Sequence, residues 1–349
     1  MTAPRILILY NEPVLPSHHP DAASEHEVLF TVAAVERGLE EAGFAVGRLG
    51  VNHDPAHLLH GVQRFRPDAV FNLFEGTGDD SNNEAYAAAL LQWLRVPFTG
   101  CPAQTLNIAR NKVVTKHLLR SAGLPTADFM VIDDAPVPPC SLGWPVIVKP
   151  ALQDASVGLD QGSVVTAQEQ LERRAGWLLE RFGPPVLVEE FIQGREFNVG
   201  LVELPELTVL PISEILFIDH KAGQWPIVTY DAKWRPDSAE YLATPPSYPA
   251  KVTPRLARRL GELAKAAFRL TGCRDYARVD FRVRPPGRPV ILEVNPNPDF
   301  SPDAGLTGGL LSAGIAHAEF AVQLVHNALA RAAREHELAV EAPQLQAAN

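Results

Sequence analysis

The sequence contains little cysteine and no excess of positive charge. Its 349 residues include three cysteines, Cys101, Cys140 and Cys273, which are far apart and odd in number. That pattern excludes a disulfide framework and has no zinc-binding spacing, so we expect a protein of the reducing cytoplasm. The formal net charge is −10 and no basic run is present. Both facts argue against nucleic acid or an anionic membrane surface as a partner.

Long apolar runs are also missing. No stretch approaches the ~20 residues that a membrane-spanning helix needs. The strand-like segment at residues 5–10 is too short and wrongly flanked for a signal peptide. We therefore expect no membrane partner. Hydrophobic residues make up 46% of the chain and charged residues 21%, as in soluble globular proteins, and the length is sufficient for two or three packed domains.

The first third of the chain alternates strand-like and helix-like segments. A capping-box pattern, Ser24-Glu25-His26-Glu27, precedes apolar residues at helical spacing, and Gly43 ends that helix. Strands alternating with helices predict a mostly parallel sheet with helices on its faces. The predicted elements are strands at 5–10, 45–49, 69–74 and 96–99 and a second helix at 83–94.

The remaining two thirds mix strands and helices less regularly. Thr253 followed by Pro254 is a typical helix start, and the irregular residues 219–250 are long enough to form a functional loop. The other predicted elements are helices at 107–122, 168–182 and 315–335 and strands at 146–150, 163–166, 186–190, 196–203 and 208–217. We predict domains at 1–100, 101–187 and 188–335, followed by a disordered tail at 336–349.

A predicted hairpin near the C-terminal end carries the most informative side chains. Its two strands lie on either side of Pro285 and alternate apolar with polar residues. Since side chains two apart share a face, Arg278 and Asp280 point one way, as do Glu293 and Asn295 on their strand. If the two faces coincide, the oxygens form a site suited to Mg²⁺. The alternative is a set of ordinary cross-strand ion pairs.

Two lysines and a pair of glutamates are further candidates. Lys149 ends an otherwise apolar strand, where an unpaired ammonium would be costly to bury unless it reaches the surface. The small residues at 154–158 follow, and their backbone N–H groups could cradle a phosphate. For Lys112, early in a helix, the sequence around it by itself favours an ordinary surface lysine. Glu189 and Glu190 end an apolar strand, which indicates either a solvated strand end or a nucleotide contact.

The order of these motifs resembles that of the ATP-grasp superfamily, and most closely that of the D-alanine–D-alanine ligase family. The resemblance covers about residues 5–330. It implies an α/β, three-domain ATP-grasp architecture, with an N-terminal parallel α/β domain, a small central α+β domain and a C-terminal α+β domain with an antiparallel sheet. The motifs are Asn111-Lys112, Val146-Ile147-Val148-Lys149-Pro150, Ser156-Val157-Gly158, Leu187-Val188-Glu189-Glu190, Gly194-Arg195-Glu196, Arg278-Val279-Asp280-Phe281 and Leu292-Glu293-Val294-Asn295.

The resemblance also implies a role for individual residues. Family members activate a carboxylate as an acylphosphate, which an amine then attacks. For the nucleotide, the resemblance implies that Lys112 and Lys149 bind the ATP phosphates, that the loop with Ser156 covers them, that Glu196 binds the ribose, and that the adenine site is formed by Glu189, Glu190, Phe191 and Ile192. For the metal, it implies two Mg²⁺ ions, with Mn²⁺ as an alternative, held by Asp280, Glu293 and Asn295. For the reaction, it implies that Lys233 contacts the transferring phosphoryl group, Arg278 stabilises the oxyanion, and Glu25 contacts the first substrate's amino group.

Several positions depart from the family pattern. Glu75 stands where the family usually has His, Ala155 replaces the first of two serines, and Trp234 replaces Tyr after the lid lysine. Downstream of the hairpin, Asp299 falls in the place of a Gly and Ala304 in that of a Ser. These changes favour substrates other than two D-alanines, with drift at loop tips as the alternative reading.

We therefore predict an ATP-dependent carboxylate–amine ligase that joins small-molecule amino acids or amines. The resemblance suggests a homodimer. The first alternative is a genuine D-alanine–D-alanine ligase with a variant lid. The second, from a different class, is a non-catalytic nucleotide-binding subunit, which the intact lysines and carboxylates argue against.

Overall fold

The computed structural model describes residues 3–13, 22–77, 82–219 and 223–346, with the side chains of 22–27 and 338–346 outside the description. Its N-terminal lobe is a three-stranded parallel sheet in the order β2-β1-β3. The residues of β1 alternate between the two faces, yet Ile6, Leu7, Ile8 and Leu9 are all buried. Both faces are therefore covered, which explains why the strand is uniformly apolar. The elements are β1 (Arg5–Asn11), α1 (Ala22–Glu41), β2 (Ala45–Val51), α2 (Pro55–Phe65), β3 (Ala69–Leu73) and α3 (Asn83–Trp93).

Three predictions for this lobe need correction. Residues 96–99 do not form a strand, because only an isolated bridge joins Phe98 to Val70. The helix α2, capped by the Asp54 side chain at the backbone N–H of Ala56, was not predicted. Helix α1 begins at Ala22 rather than after Ser24. The predicted parallel sheet is confirmed.

The central lobe is a four-stranded antiparallel sheet in the order β4-β7-β5-β6. The single helix predicted at 107–122 is two helices, because Asn111 has an extended backbone (φ −80°, ψ 94°) and its side chain accepts from the backbone N–H of Val114. Asn111 thus starts a second helix and places Lys112 in its first turn. The elements are α4 (Ala103–Arg110), α5 (Lys112–Ser121), β4 (Phe129–Ile132), β5 (Val146–Pro150), β6 (Val164–Val165), α6 (Gln168–Phe182) and β7 (Val186–Glu190).

The C-terminal lobe contains a six-stranded sheet in the order β11-β10-β8-β12-β13, with β9 also paired to β8, and every pairing is antiparallel. The strand predicted at 196–203 and the hairpin are present, and Thr253 and Gly272 cap α9 as expected. The elements are β8 (Arg195–Leu204), β9 (Glu206–Val209), β10 (Ser213–Ile215), α7 (Tyr230–Trp234), α8 (Ala239–Leu242), β11 (Pro246–Ser247), α9 (Pro254–Thr271), β12 (Tyr276–Arg284), β13 (Arg288–Pro296), α10 (Gly305–Ser312) and α11 (His317–Gln346).

Two predictions for this lobe were wrong. The strand predicted at 208–217 is divided into β9 and β10, since Pro211 between them has no N–H to donate to the sheet. The last helix does not end at Glu335, because α11 continues to Gln346 and so occupies most of the expected tail at 336–349. Helix α10 was not predicted.

The N-terminal and C-terminal lobes share their hydrophobic cores. Leu7 and Leu9 of β1 belong to the same buried cluster as Phe197 and Val199 of β8. The central lobe has a core of its own, formed by β4, β5, β6 and β7 with the apolar face of α6. This separate packing makes the central lobe one wall of the cleft described below, while its boundaries at 101 and 187 stay a prediction.

Helices α10 and α11 together have enough apolar residues to resemble a membrane span, but only as a pair bent by 101°. Within the described residues, no single helix is long and apolar enough to cross a membrane.

Candidate active site

A cleft of about 570 Å³ lies between the central sheet and the C-terminal sheet. Strands β5 and β7 supply one wall, and β8, β12 and β13 supply the other. Lys112 lies at its edge, close to Glu293. The predicted site residues that line the cleft are Lys149, Ser156, Glu189, Glu190, Phe191, Ile192, Glu196, Lys233, Arg278, Asp280, Glu293 and Asn295.

The hairpin places its polar residues as the sequence predicted. Asp280 pairs with Glu293 and Arg278 with Asn295 in the register of β12 and β13, so the two polar faces coincide. The guanidinium of Arg278 donates to both oxygens of Asp280, from Nε at 2.8 Å and from Nη2 at 2.9 Å. The amide of Asn198 on β8 donates to Asp280 as well, at 2.7 Å. A carboxylate that accepts this many hydrogen bonds is held in one orientation before any ligand arrives.

The donor set at the hairpin suits a hard cation. Asp280 and Glu293 supply carboxylate oxygens and Asn295 an amide oxygen, the ligand types that Mg²⁺ prefers. The amide group of Asn295 donates to Asp280 at 2.9 Å and lies 3.4 Å from Glu293, so it is within hydrogen-bonding distance of both carboxylates. Among the described residues, no cluster of three or more His, Cys, Asp or Glu side chains offers a competing site.

Positive charge surrounds Glu293. Burial by itself would raise the pKa of this carboxyl, but Lys112, Lys149, Arg278 and Lys233 outweigh it and lower the pKa to about 2. The Nζ of Lys112 lies 3.9 Å from the carboxylate. Glu293 is therefore an anion at every physiological pH and available to a metal ion.

Lys149 is neither unpaired nor at the surface. Its ammonium forms an ion pair with the carboxylate of Glu189, and that carboxylate also pairs with Lys116 of α5. Burial lowers the pKa of Lys149. The negative charges of Glu189 and then Glu293 raise it by more than burial lowers it, so the pKa of Lys149 lies above the ordinary value for lysine. Lys149 thus keeps its charge although its side chain is only 12% exposed.

Sequence reasoning missed Lys116. Its side chain is 1% exposed and also donates to the Thr126 hydroxyl at 2.9 Å. The available signal was its position one helical turn after Lys112, on the face of α5 that carries buried Leu119. Glu189, assigned to the adenine site by resemblance, lines the cleft but also holds these two lysines in place.

Two loops close the cleft over the lysines, namely the phosphate loop at 153–161 and the lid at 223–250. The Ser156 hydroxyl donates to the Val228 carbonyl at 3.0 Å, and the Trp234 indole N–H donates to the Ala155 carbonyl at 2.9 Å. Ala155 and Ser156 have left-handed backbones (φ 52° and 61°), which costs non-glycine residues about 1 kcal/mol each. The lid contacts stabilise this conformation, and the lid itself includes the short helices α7 and α8.

Lys233 of the lid points its charge into the cleft. Burial lowers the pKa of this lysine, and the nearby Arg278 lowers it further. Lys112 behaves similarly, since burial lowers its pKa despite Glu293. Added negative charge from a phosphate would favour the protonated forms of both lysines.

The end of the cleft where the resemblance predicts the nucleotide, called the nucleotide end below, is formed by the β7–β8 connection. Phe191 contacts Trp225 of the lid, with ring centroids 5.3 Å apart, and Glu190 pairs with Arg284 at 2.7 Å. Gly194 is required here, because a Cβ atom at this position would lie 2.1 Å from the Val283 carbonyl oxygen. That close approach places Glu196 opposite Arg282 in the sheet.

The predicted residue Glu25 lies in α1, but its side chain is outside the described residues. Its proposed contact with a substrate amino group therefore stays a prediction. Two of the divergent positions downstream are described. Asp299 accepts from the backbone N–H of Ser301 at 2.8 Å, and Ala304 is the N-terminal cap residue of α10 without a side-chain bond.

Comparison with known proteins now bears on the identity of this cleft. The family model of the D-ala D-ala ligase C-terminus matches residues 118–326. A D-alanine–D-alanine ligase of Desulforudis audaxviator is 31% identical over 299 residues, which are 82% of this chain and 91% of that protein. The chain belongs to the D-alanine–D-alanine ligase family. It is an ATP-grasp ligase, a C–N bond-forming enzyme that uses ATP with Mg²⁺.

The chain is also similar to one protein without an assigned function and to one solved ligase structure. An uncharacterized protein, y4sG of Sinorhizobium fredii, is 34% identical over 268 residues, which are 74% of this chain and 76% of that protein. The crystal structure of the D-alanine–D-alanine ligase from Bacillus anthracis complexed with ATP has a TM-score of 0.74 at 19% identity, covering 96% of this chain and 100% of that one. The structural likeness confirms the predicted ATP-grasp fold.

A buried acidic group lies beside the segment in which the sequence departs from the family pattern. Glu84, in the first turn of α3, lies 3.9 Å from Arg110 and accepts from the Asn297 amide at 3.4 Å. Burial, followed by repulsion from Glu75, raises the pKa of Glu84 to about 8. Glu84 therefore carries a proton near neutral pH, next to the segment that follows the β12–β13 hairpin.

Replacement of Glu84 by Gln should flatten the pH dependence of stability. Between pH 4.5 and about 8 the folded state holds a proton that the unfolded state has lost, so wild-type stability falls as the pH rises through this window. Over this window we expect the free energy of unfolding of the wild type to fall by roughly 3 kcal/mol relative to that of the variant. This is less than the full pKa difference implies, because the Glu84 side chain is 17% exposed. Urea unfolding of both proteins at pH 5, 6, 7 and 8 measures this difference. The exposed Glu262 on α9, changed to Gln, is the control, and parallel curves for Glu84→Gln and wild type would contradict the assignment.

Proposed function

We propose that this ligase joins a carboxylate to an amine through an acylphosphate, and that its substrates are not two D-alanines. The observation that carries the first part is the ring of cations around Glu293, formed by Lys112, Lys149, Lys233 and Arg278. A site that must neutralise a triphosphate needs this concentration of positive charge, because phosphoryl transfer depends on positioning and electrostatics more than on covalent participation.

In this proposal each residue of the cleft has a separate role in the reaction. Lys112 and Lys149 bind the phosphates of ATP, and Lys233 of the lid contacts the group in transfer. A carboxylate oxygen of the substrate bonds to the γ-phosphorus as ADP leaves. An amine then adds to the acyl carbon, and the tetrahedral intermediate collapses to the amide as phosphate leaves. Arg278 stabilises the oxyanion of that intermediate. The phosphate loop and lid exclude water, which would otherwise hydrolyse the acylphosphate.

Asp280, Glu293 and Asn295 would hold two Mg²⁺ ions, with Mn²⁺ as a substitute. Bound there, the cations supply charge neutralisation at the phosphates. Phe191 and Ile192 would contact the adenine together with Glu189 and Glu190, and Glu196 would accept from the ribose. The occurrence of this complete set in one cleft argues against a non-catalytic nucleotide-binding subunit. A cytoplasmic homodimer is the form that we expect.

The substrate proposal depends on chemistry near the cleft. The lid meets the phosphate loop through an indole N–H at Trp234 and a backbone carbonyl at Ala155, rather than through the side-chain hydroxyls expected of the family. Glu75 and Asp299 add carboxylates around the segment after the hairpin. These features support a second substrate that is more cationic or differently shaped than D-alanine. The alternative remains a D-alanine–D-alanine ligase with a variant lid.

Lys149→Ala and Glu293→Ala should each abolish ATP turnover. The first removes a phosphate ligand and the second a metal ligand, and loss of one such electrostatic contact costs at least about a hundredfold in rate. Phosphate release in the presence of Mg²⁺ and a mixture of amino acids measures the effect. Lys251→Ala is the matched control, because Lys251 is exposed and only its backbone carbonyl is engaged. Full activity in either cleft variant would refute the ligase mechanism.

D-alanine as the sole amino acid should give little phosphate release. The divergent lid contact and the added carboxylates do not match a small zwitterion that serves as both substrates. The measurement is the rate of ADP formation with saturating MgATP and increasing D-alanine, compared with the rate without amino acid. A robust, saturable rate would instead support the variant-lid alternative.

A further inference from the structure

Arg282 is a buried cation at the nucleotide end of the cleft, and the family resemblance gives it no role. Its side chain is 4% exposed and lies on β12, directly opposite Glu196 of β8. Nε donates to Glu196 Oε2 at 2.7 Å, and Nη2 lies 2.6 Å from the same oxygen. Since both contacts end on Oε2, the arginine leaves Oε1 of a cleft-lining carboxylate for another donor.

The guanidinium is fixed from several sides. Nη1 donates to the Ile192 carbonyl at 3.4 Å, and Nη2 donates to the Pro226 carbonyl of the lid. The charge also lies over two aromatic rings, 5.7 Å from the centroid of Phe191 and 5.0 Å from that of Phe217. An arginine held by this many contacts has one available orientation, so it can fix the orientation of its partner.

Glu196 needs such a partner because it lies among other carboxylates. Burial raises the pKa of Glu196, Arg282 opposes that change, and Asp280 and Glu293 add to it by repulsion. Each of these other carboxylates has its own cations: Arg278 for Asp280 and the lysines for Glu293. Without Arg282, Glu196 would take up a proton or turn towards the metal site.

We propose that Arg282 is the positioning residue that reserves Glu196 for a hydroxyl of the nucleotide ribose and keeps it out of the metal site. This inference rests on the ribose contact in the proposed function. The new element is that Arg282, which need not touch the nucleotide, sets the orientation of Glu196. Arg282 thereby determines how well the enzyme discriminates between ribo- and deoxyribonucleotides.

Nucleotide binding to the full-length protein tests the proposal without any knowledge of the amino acid substrates. The probes are ATP, 2′-deoxy-ATP and 3′-deoxy-ATP with Mg²⁺, titrated by calorimetry into wild type, Arg282→Met and Glu196→Gln. Wild type should prefer ATP over at least one deoxy analogue by about tenfold or more, the usual effect of a hydrogen bond to a charged group. In both variants the affinity for ATP should fall by about that factor, while the affinity for the affected analogue should change little.

The matched control is Arg195→Met, which removes another arginine–glutamate pair of the same sheet, with Glu214, outside the cleft. It should keep the wild-type ratio of affinities. If Arg282→Met does not fold, Arg282→Lys carries the same expectation, because a lysine cannot reproduce the several directed bonds of the guanidinium.

The outcomes distinguish the role proposed for Arg282 from the proposed function of the whole cleft. Equal weakening of all three nucleotides in the Arg282 variant would mean a merely structural role and would overturn this inference, as would a wild type with no ribose preference. Failure of wild type to bind ATP at all would overturn the proposed function itself.

Discussion

The cleft depends on the pairing of buried lysines with Glu189. This carboxylate holds Lys116 and Lys149 together, and all three side chains lie almost out of contact with water. Removing one partner of a buried ion pair typically costs about 3–5 kcal/mol, because the remaining charge has no compensation. Glu189 therefore stabilises two buried lysines. One of them, Lys149, faces the cleft, at the position where we propose that phosphate binds.

The same principle extends across the cleft to the other wall. Glu293 is balanced by cations from four different parts of the chain, namely α5, β5, β12 and the lid. Asp280 is balanced by Arg278, and Glu196 by Arg282. Each carboxylate is oriented in advance by its cations, which lowers the reorganisation needed when a nucleotide and its metal ions arrive. The lid belongs to this balance, because Lys233 and the Pro226 carbonyl both come from it.

The local features of the site were predictable from sequence, whereas its distant pairings were not. The hairpin could be predicted because strand periodicity and the turn at Pro285 determine which side chains share a face. Lys116 was missed because its partner Glu189 lies on a strand far along the chain, and no local pattern indicates that pairing. The pairing of Arg282 with Glu196 depends in the same way on the register of β8 and β12. Residues 96–99 have strand-like composition, but they contact β3 through a single bridge, an outcome decided by tertiary packing.

The central claim is that this cleft condenses two substrates that are not both D-alanine. A screen of pairs of amino acids and amines with MgATP, read out as phosphate release and as product mass, tests it most directly. The account predicts at least one pair, other than two D-alanines, that yields ADP, phosphate and a product in equal amounts, with a mass equal to the sum of the two substrates less one water. D-alanyl-D-alanine as the only product, or ATP hydrolysis without a condensed product for every pair, would contradict it.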